Sequence, residues 1–145
     1  MRQFAYKHKH PVTGQESPQL GIIYIPDDSM MDRVPEGAVE IGENPVGDDR
    51  EGAYFSAWRL QPDGTVTVDL EEAREIRMKW LRERRDNFLF HLDRVQFQYY
   101  CSKNEEGIAQ VEEEKQALRD FPAQVDWSAI KTLHDVKHLL PPILI

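Results

Sequence analysis

The chain has 145 residues, 40% hydrophobic and 30% charged, with three Trp, six Phe and five Tyr, enough large side chains for one domain or two small layers, which excludes disorder throughout. A formal charge of −8 opposes binding to nucleic acid or anionic membranes, because that binding relies on Lys and Arg neutralising phosphates. Cys101 is the one cysteine, so an intrachain disulfide is excluded and a reducing compartment is expected.

Export by a signal peptide and membrane insertion are not expected either, since the first residues lack an apolar core and no run approaches about 18 apolar residues. From residue 2 to residue 68, short β-favouring runs alternate with Pro, Gly and Asp: 2–7, 21–25, 38–41, 53–60 and 64–68. This pattern predicts a small antiparallel sheet of four or five strands. Its clearest local signal is the hairpin over 57–68, where Pro62-Asp63-Gly64 joins two β runs: Pro presets φ and Gly accepts a positive one.

Residues 27–51 form an acidic connector with nine carboxylates against Arg33 and Arg50, net −7. Val34, Ala38 and Ile41 are its packing residues, so a short strand within a solvated loop is expected. The carboxylate spacing does not fit a calcium loop of the D-x-[DN]-x-[DN]-G kind. Charge of this density would steer a basic partner or discourage self-association.

At Asp69 the apolar period changes from two to 3.6. Asp69 with Glu72 resembles a capping box, and the first turn is rich in Glu. Leu70, Ala73, Ile76, Trp80, Phe88, Leu92, Val95 and Tyr99 then predict one apolar stripe. Ser102-Lys103-Asn104 breaks the helix, and Ile108, Val111, Leu118 and Phe121 mark a second helix expected to stop at Pro122. So short a break makes an antiparallel hairpin the natural geometry. Charge agrees, with net +3 over 74–94 and net −4 over 105–120. A short amphipathic segment through Leu133, Val136, Leu139 and Leu140 follows, then an apolar end. The expected class is α+β: a β-sheet part over 1–68, then a helical hairpin and C-terminal tail over 69–145.

Chemistry is sparse. His134 and His138 are spaced as two ligands on one helix face, but no H-E-x-x-H pattern surrounds them, and His8 and His10 lie beside Lys7 and Lys9 on what reads as a basic strand edge. Cys101 has no activating neighbour and reads as a half-buried structural residue. Phosphate-binding loops, nucleophile elbows and dinucleotide glycine patterns do not occur. Catalytic, cofactor-binding and metal residues are therefore not assigned.

The run Tyr54-Phe55-Ser56-Ala57-Trp58-Arg59-Leu60, the helix opening Val68-Asp69-Leu70-Glu71-Glu72-Ala73, Arg82-Glu83-Arg84-Arg85, Leu92-Asp93 and Lys115-Gln116-Ala117-Leu118-Arg119-Asp120-Phe121-Pro122 together resemble small bacteriophage proteins of the tail-fibre-assembly and tail-assembly-chaperone type. The resemblance runs over 54–142. It implies a non-catalytic, cofactor-free protein that binds tail-fibre or other tail proteins in the host cytoplasm during assembly, with residence in the virion tail as a structural minor component the alternative. A homo-oligomer remains open, and a metal-dependent hydrolase is a distant third reading. The candidate interaction residues are Trp58, Trp80, Phe88, Trp127, Leu139, Leu140, Ile143, Leu144 and Ile145. For the tail, a partner surface and folding back onto the protein's own helices are both compatible with the composition.

Overall fold

The computed structural model describes residues 1–140. The chain is α+β, with a small antiparallel sheet at its N-terminus, two long helices and a short C-terminal helix. It forms two compact units, Met1–Ala73 and a second beginning at Arg74.

In the first unit β1 (Arg2–Lys9) is the central strand, flanked by β2 (Glu16–Ile25) and β3 (Val39–Ile41), both antiparallel to it. Tyr6 of β1 stands opposite Gly21 of β2, and its ring fills the space a Cβ would need there. Phe4, Ala5, Leu20 and Ile25 are buried, while Arg2 donates to Glu40 of β3 at 2.8 Å and to Asp28 at 2.6 Å. These bonds raise the Arg2 pKa above its usual value, the bond to Glu40 contributing most, and hold the Glu40 carboxyl below its own.

The remaining two strands, β4 (Trp58–Leu60) and β5 (Val66–Val68), make a separate two-stranded sheet. Among the described residues five strands therefore form, but as three plus two. Between them the expected turn is present: Gly64 has φ 87°, its N–H donates to Gln61 O at 3.0 Å, and Gln61 N–H donates to Thr65 O at 2.8 Å. A side chain at Gly64 would be strained in that left-handed conformation.

The expected strand over 53–60 is shorter, because 55–57 turn as a single 3-10 loop before β4 begins. Asp49 causes this. It is fully buried, and its Oδ2 accepts from Tyr54 N–H at 2.8 Å and from the Trp58 indole at 3.0 Å, wrapping the chain around one carboxylate. Asp49 thus corrects the expectation that the connector's carboxylates lie on a solvated face. The strand foreseen inside the connector exists as β3, preceded by a 3-10 turn at Asp28–Arg33 that Asp27 caps.

Helix α1 (Leu70–Cys101) starts where the cap was expected: Asp69 accepts from the N–H groups of Glu71 and Glu72 at 3.1 and 3.3 Å. It ends with Lys103 at φ 58°, whose neighbour Asn104 donates to Tyr99 O at 2.9 Å while its side chain caps α2 (Glu105–Gln124) through Gly107 N–H. Gly107 is needed because a Cβ would come within 2.9 Å of the Tyr99 ring. Pro122 does not stop α2 but lies inside its last turn, and the helix ends two residues later.

The two helices pack antiparallel. Met78, Leu81 and Leu92 of α1 join Val111 and Leu118 of α2 in one cluster, with Phe88, Leu89, Val95, Tyr99 and Phe121 packed against it. Counting back from Tyr99 in steps of four and three reaches Val95, Leu92, Phe88, Arg85, Leu81 and Met78, the spacing of a helix seam. Trp80 is not on this seam, which corrects the expected stripe. The step of eight from Trp80 to Phe88 rotates the helix face by about 80° beyond two turns, so Leu81 takes the core position.

Lys115 is the polar member of the seam and is 5% exposed. Its ammonium donates to Gln96 Oε1 at 2.6 Å and pairs with Asp93 at 2.5 Å, while Gln96 Nε2 donates to Glu112 at 3.1 Å. The expected attraction between a basic α1 and an acidic α2 is thus met locally by a reversed pair, a Lys of α2 with an Asp of α1. The chain then returns along the hairpin through α3 (Leu133–Lys137), started by a full capping box between Thr132 and Asp135.

Candidate protein-interaction site

Each residue singled out from the sequence has a definite place. Trp58 is buried, with its indole committed to Asp49, so it supports the first unit from inside. Beside it lies a cavity of about 160 Å³ bordered by Gln3, Tyr24, Asp49 and Phe55. Asp49 Oδ1 has no hydrogen-bond partner among the described residues, yet it is closed off from any molecule the size of water.

Phe88 and Trp127 are partly buried against the hairpin cluster, as are Leu139 and Leu140. Arg74 links Trp127 to α1: its guanidinium lies 5.4 Å from the Trp127 ring and donates to Ile130 O at 2.9 Å. Arg77 donates twice to Leu139 O, at 3.1 and 2.8 Å. Ile143, Leu144 and Ile145 lie outside the described residues.

Trp80 alone among the named aromatics is open to solvent, 40% exposed. Its ring lies between two guanidinium groups, Arg77 at 4.2 Å and Arg84 at 5.2 Å. Helical geometry produces this arrangement, since positions three before and four after share one face. Because Arg77 is also tied to Leu139 O, the indole is held in place before anything binds. An aromatic plane flanked by cations, one of them tied down, suits an apolar contact bordered by carboxylates.

A second exposed aromatic set escaped the sequence reading: Phe90 and Phe97, each 68% exposed, and Tyr100 at 60%. Phe90 and Phe97 are seven residues apart, and a hollow of about 310 Å³ opens between them over Asp93 and Arg94. The available signal was their heptad spacing, in phase opposite to the seam.

Chemically reactive groups are not gathered. Among the described residues no group of three or more His, Cys, Asp or Glu side chains could hold a metal ion. The His134 and His138 rings lie 4.1 Å apart, with His138 Nδ1 at 2.8 Å from His134 O. His10 Nδ1 is placed to accept from the N–H groups of Val12 and Thr13. Cys101 is exposed, correcting the expectation of a half-buried thiol. Among the described residues no helix is long and apolar enough to cross a membrane. Comparison with family models, curated proteins and solved structures yields no match to this chain.

Proposed function

We propose that this protein is a non-catalytic protein-binding module in bacteriophage tail or tail-fibre morphogenesis, of the assembly-chaperone type, and that Trp80 is its contact residue. The observation that carries the binding part is the indole held exposed between Arg77 and Arg84. Trp and Arg are the side chains most enriched where interface energy concentrates, and a pre-positioned indole loses little freedom on binding. The basic stretch 74–94, net +3, favours a partner surface that is apolar at its centre and acidic at its rim. The tail setting rests on the motif resemblance. The alternative within that setting, a structural minor component kept in the virion, uses the same surface.

Purified tail-fibre and other tail proteins of the encoding phage are the probes. Trp80→Ala is expected to weaken binding to one of them at least tenfold with an unchanged melting temperature. Binding equal to wild type, or no binding to any tail protein, overturns the proposal. Mass spectrometry of mature particles then separates the two forms: absence fits a chaperone and stoichiometric presence a structural component.

A further inference from the structure

We infer that the cavity beside Asp49 receives the cationic side chain of a partner protein, a lysine or an arginine, with carboxylates attracting its charge and aromatic rings flanking it. The site lies wholly within the first unit and is independent of Trp80, which belongs to the second.

Its lining gives the chemistry. Glu43, Asp49 and Glu51 supply three carboxylates against the single guanidinium of Arg50, and Tyr24, Phe55 and Trp58 supply rings. Tyr24 of β2 is 59% exposed and Phe55 37%, so each offers ring surface to a ligand. An aromatic ring attracts a cation through its electron-rich face, and nearby carboxylates add to that attraction. The same charges oppose an anion.

Asp49 points independently to a positive occupant. Its Oδ2 is satisfied by two uncharged donors, Tyr54 N–H and the Trp58 indole, and its Oδ1 has no partner among the described residues. Among those residues no Lys or Arg forms an ion pair with it either. A buried carboxylate without a counter-charge is costly, and inside protein its field is screened less than in water. A cation in the adjoining cavity offsets that charge without touching Oδ1. Direct contact falls to Glu43 and Glu51, both exposed.

Size selects the occupant. A volume of about 160 Å³ is below the roughly 300–1,000 Å³ of small-molecule pockets and suits the end of one side chain. All three carboxylates belong to the connector 27–51, net −7, so a basic surface is attracted before its side chain enters.

Nuclear magnetic resonance titration of the nitrogen-labelled full chain with N-acetyl-lysine amide and N-acetyl-arginine amide tests the inference. The Trp58 indole N–H and Tyr54 N–H, both bonded to Asp49, are the reporters. Saturable shifts of both are expected with at least one of the two cations and not with N-acetyl-norleucine amide, which has a lysine-like chain without the charge. Glu43→Gln with Glu51→Gln is expected to weaken binding about tenfold and Tyr24→Ala about threefold, the spectrum otherwise keeping its dispersion because all three positions are exposed. No shift with either cation, an equal shift with the norleucine derivative, or undiminished binding by the double glutamine variant each overturns the inference. Putrescine binding more than about tenfold more tightly than either capped residue would assign the cavity to a free polyamine and overturn the partner-protein reading.

Discussion

Replacing Lys115 with Met tests whether a polar contact fixes the helical hairpin. Lys115 is buried in the seam and Gln96 Oε1 takes a hydrogen bond from it at 2.6 Å. Without the ammonium that oxygen is left unpaired at a buried site, a loss of about 1–3 kcal/mol. The ion pair to Asp93, whose side chain is 62% exposed, adds no more than about 1 kcal/mol because water screens it. Burying the Met side chain returns about 1 kcal/mol. The expected net loss is about 0–3 kcal/mol, centred near about 1.5 kcal/mol, or roughly 4–5 °C in melting temperature for a chain of this size. Combining Lys115→Met with Gln96→Leu removes both polar partners, and the double variant is expected to recover to within about 1 kcal/mol of wild type, since an all-apolar seam has nothing left unpaired. Urea denaturation followed by helical circular dichroism gives the cycle directly. Additive effects, with a coupling below about 0.5 kcal/mol, would refute the claim that these two side chains act as a unit.

Asp49→Ala leaves the Tyr54 N–H and the Trp58 indole N–H buried without an acceptor, so a destabilisation of about 2–5 kcal/mol is expected, while Asp49→Asn keeps an acceptor oxygen and most of the stability. Denaturation followed by Trp fluorescence measures both, and an Ala variant as stable as wild type would show that the carboxylate does not organise the 49–58 turn. Glu40 is held below its usual pKa by the bond from Arg2, so its contribution is complete above the unfolded value of about 4.3 and is lost as pH falls through the lower folded value. Melting temperature should therefore drop less on acidification below about pH 4 in Glu40→Gln than in wild type, and parallel curves would contradict the assignment.

What the sequence disclosed was local. Pro62-Asp63-Gly64, Asp69 before a Glu-rich turn, and Ser102-Lys103-Asn104 each act within a few residues, and the structure has a turn, a cap and a break at those places. Asp49 and Lys115 were not legible, because burial of a charged residue depends on partners brought from elsewhere and both sit among other charges in the sequence. The phase of α1 was lost at one step, Trp80 to Phe88, and that slip put Trp80 in the core and hid Leu81. Phe90 and Phe97 were passed over for a related reason: a helix of this length has room for two apolar stripes, and only a fixed phase separates them. The Asp49 turn, which lies between β3 and β4, is also beyond reach of local pattern.

The three-residue link between the long helices has a kinetic consequence. Its shortness makes the partners across the seam near neighbours in the chain, with Gln96 and Lys115 only 19 residues apart, whereas Arg2 must find Glu40 across 38. Closing a short loop sacrifices less chain entropy, and local contacts form sooner during folding. Closure of the helical hairpin thus rests on contacts near in sequence to its link. Both aromatic faces of α1, around Trp80 and around Phe90 and Phe97, are displayed as soon as it closes, without waiting for the N-terminal strands to find their register.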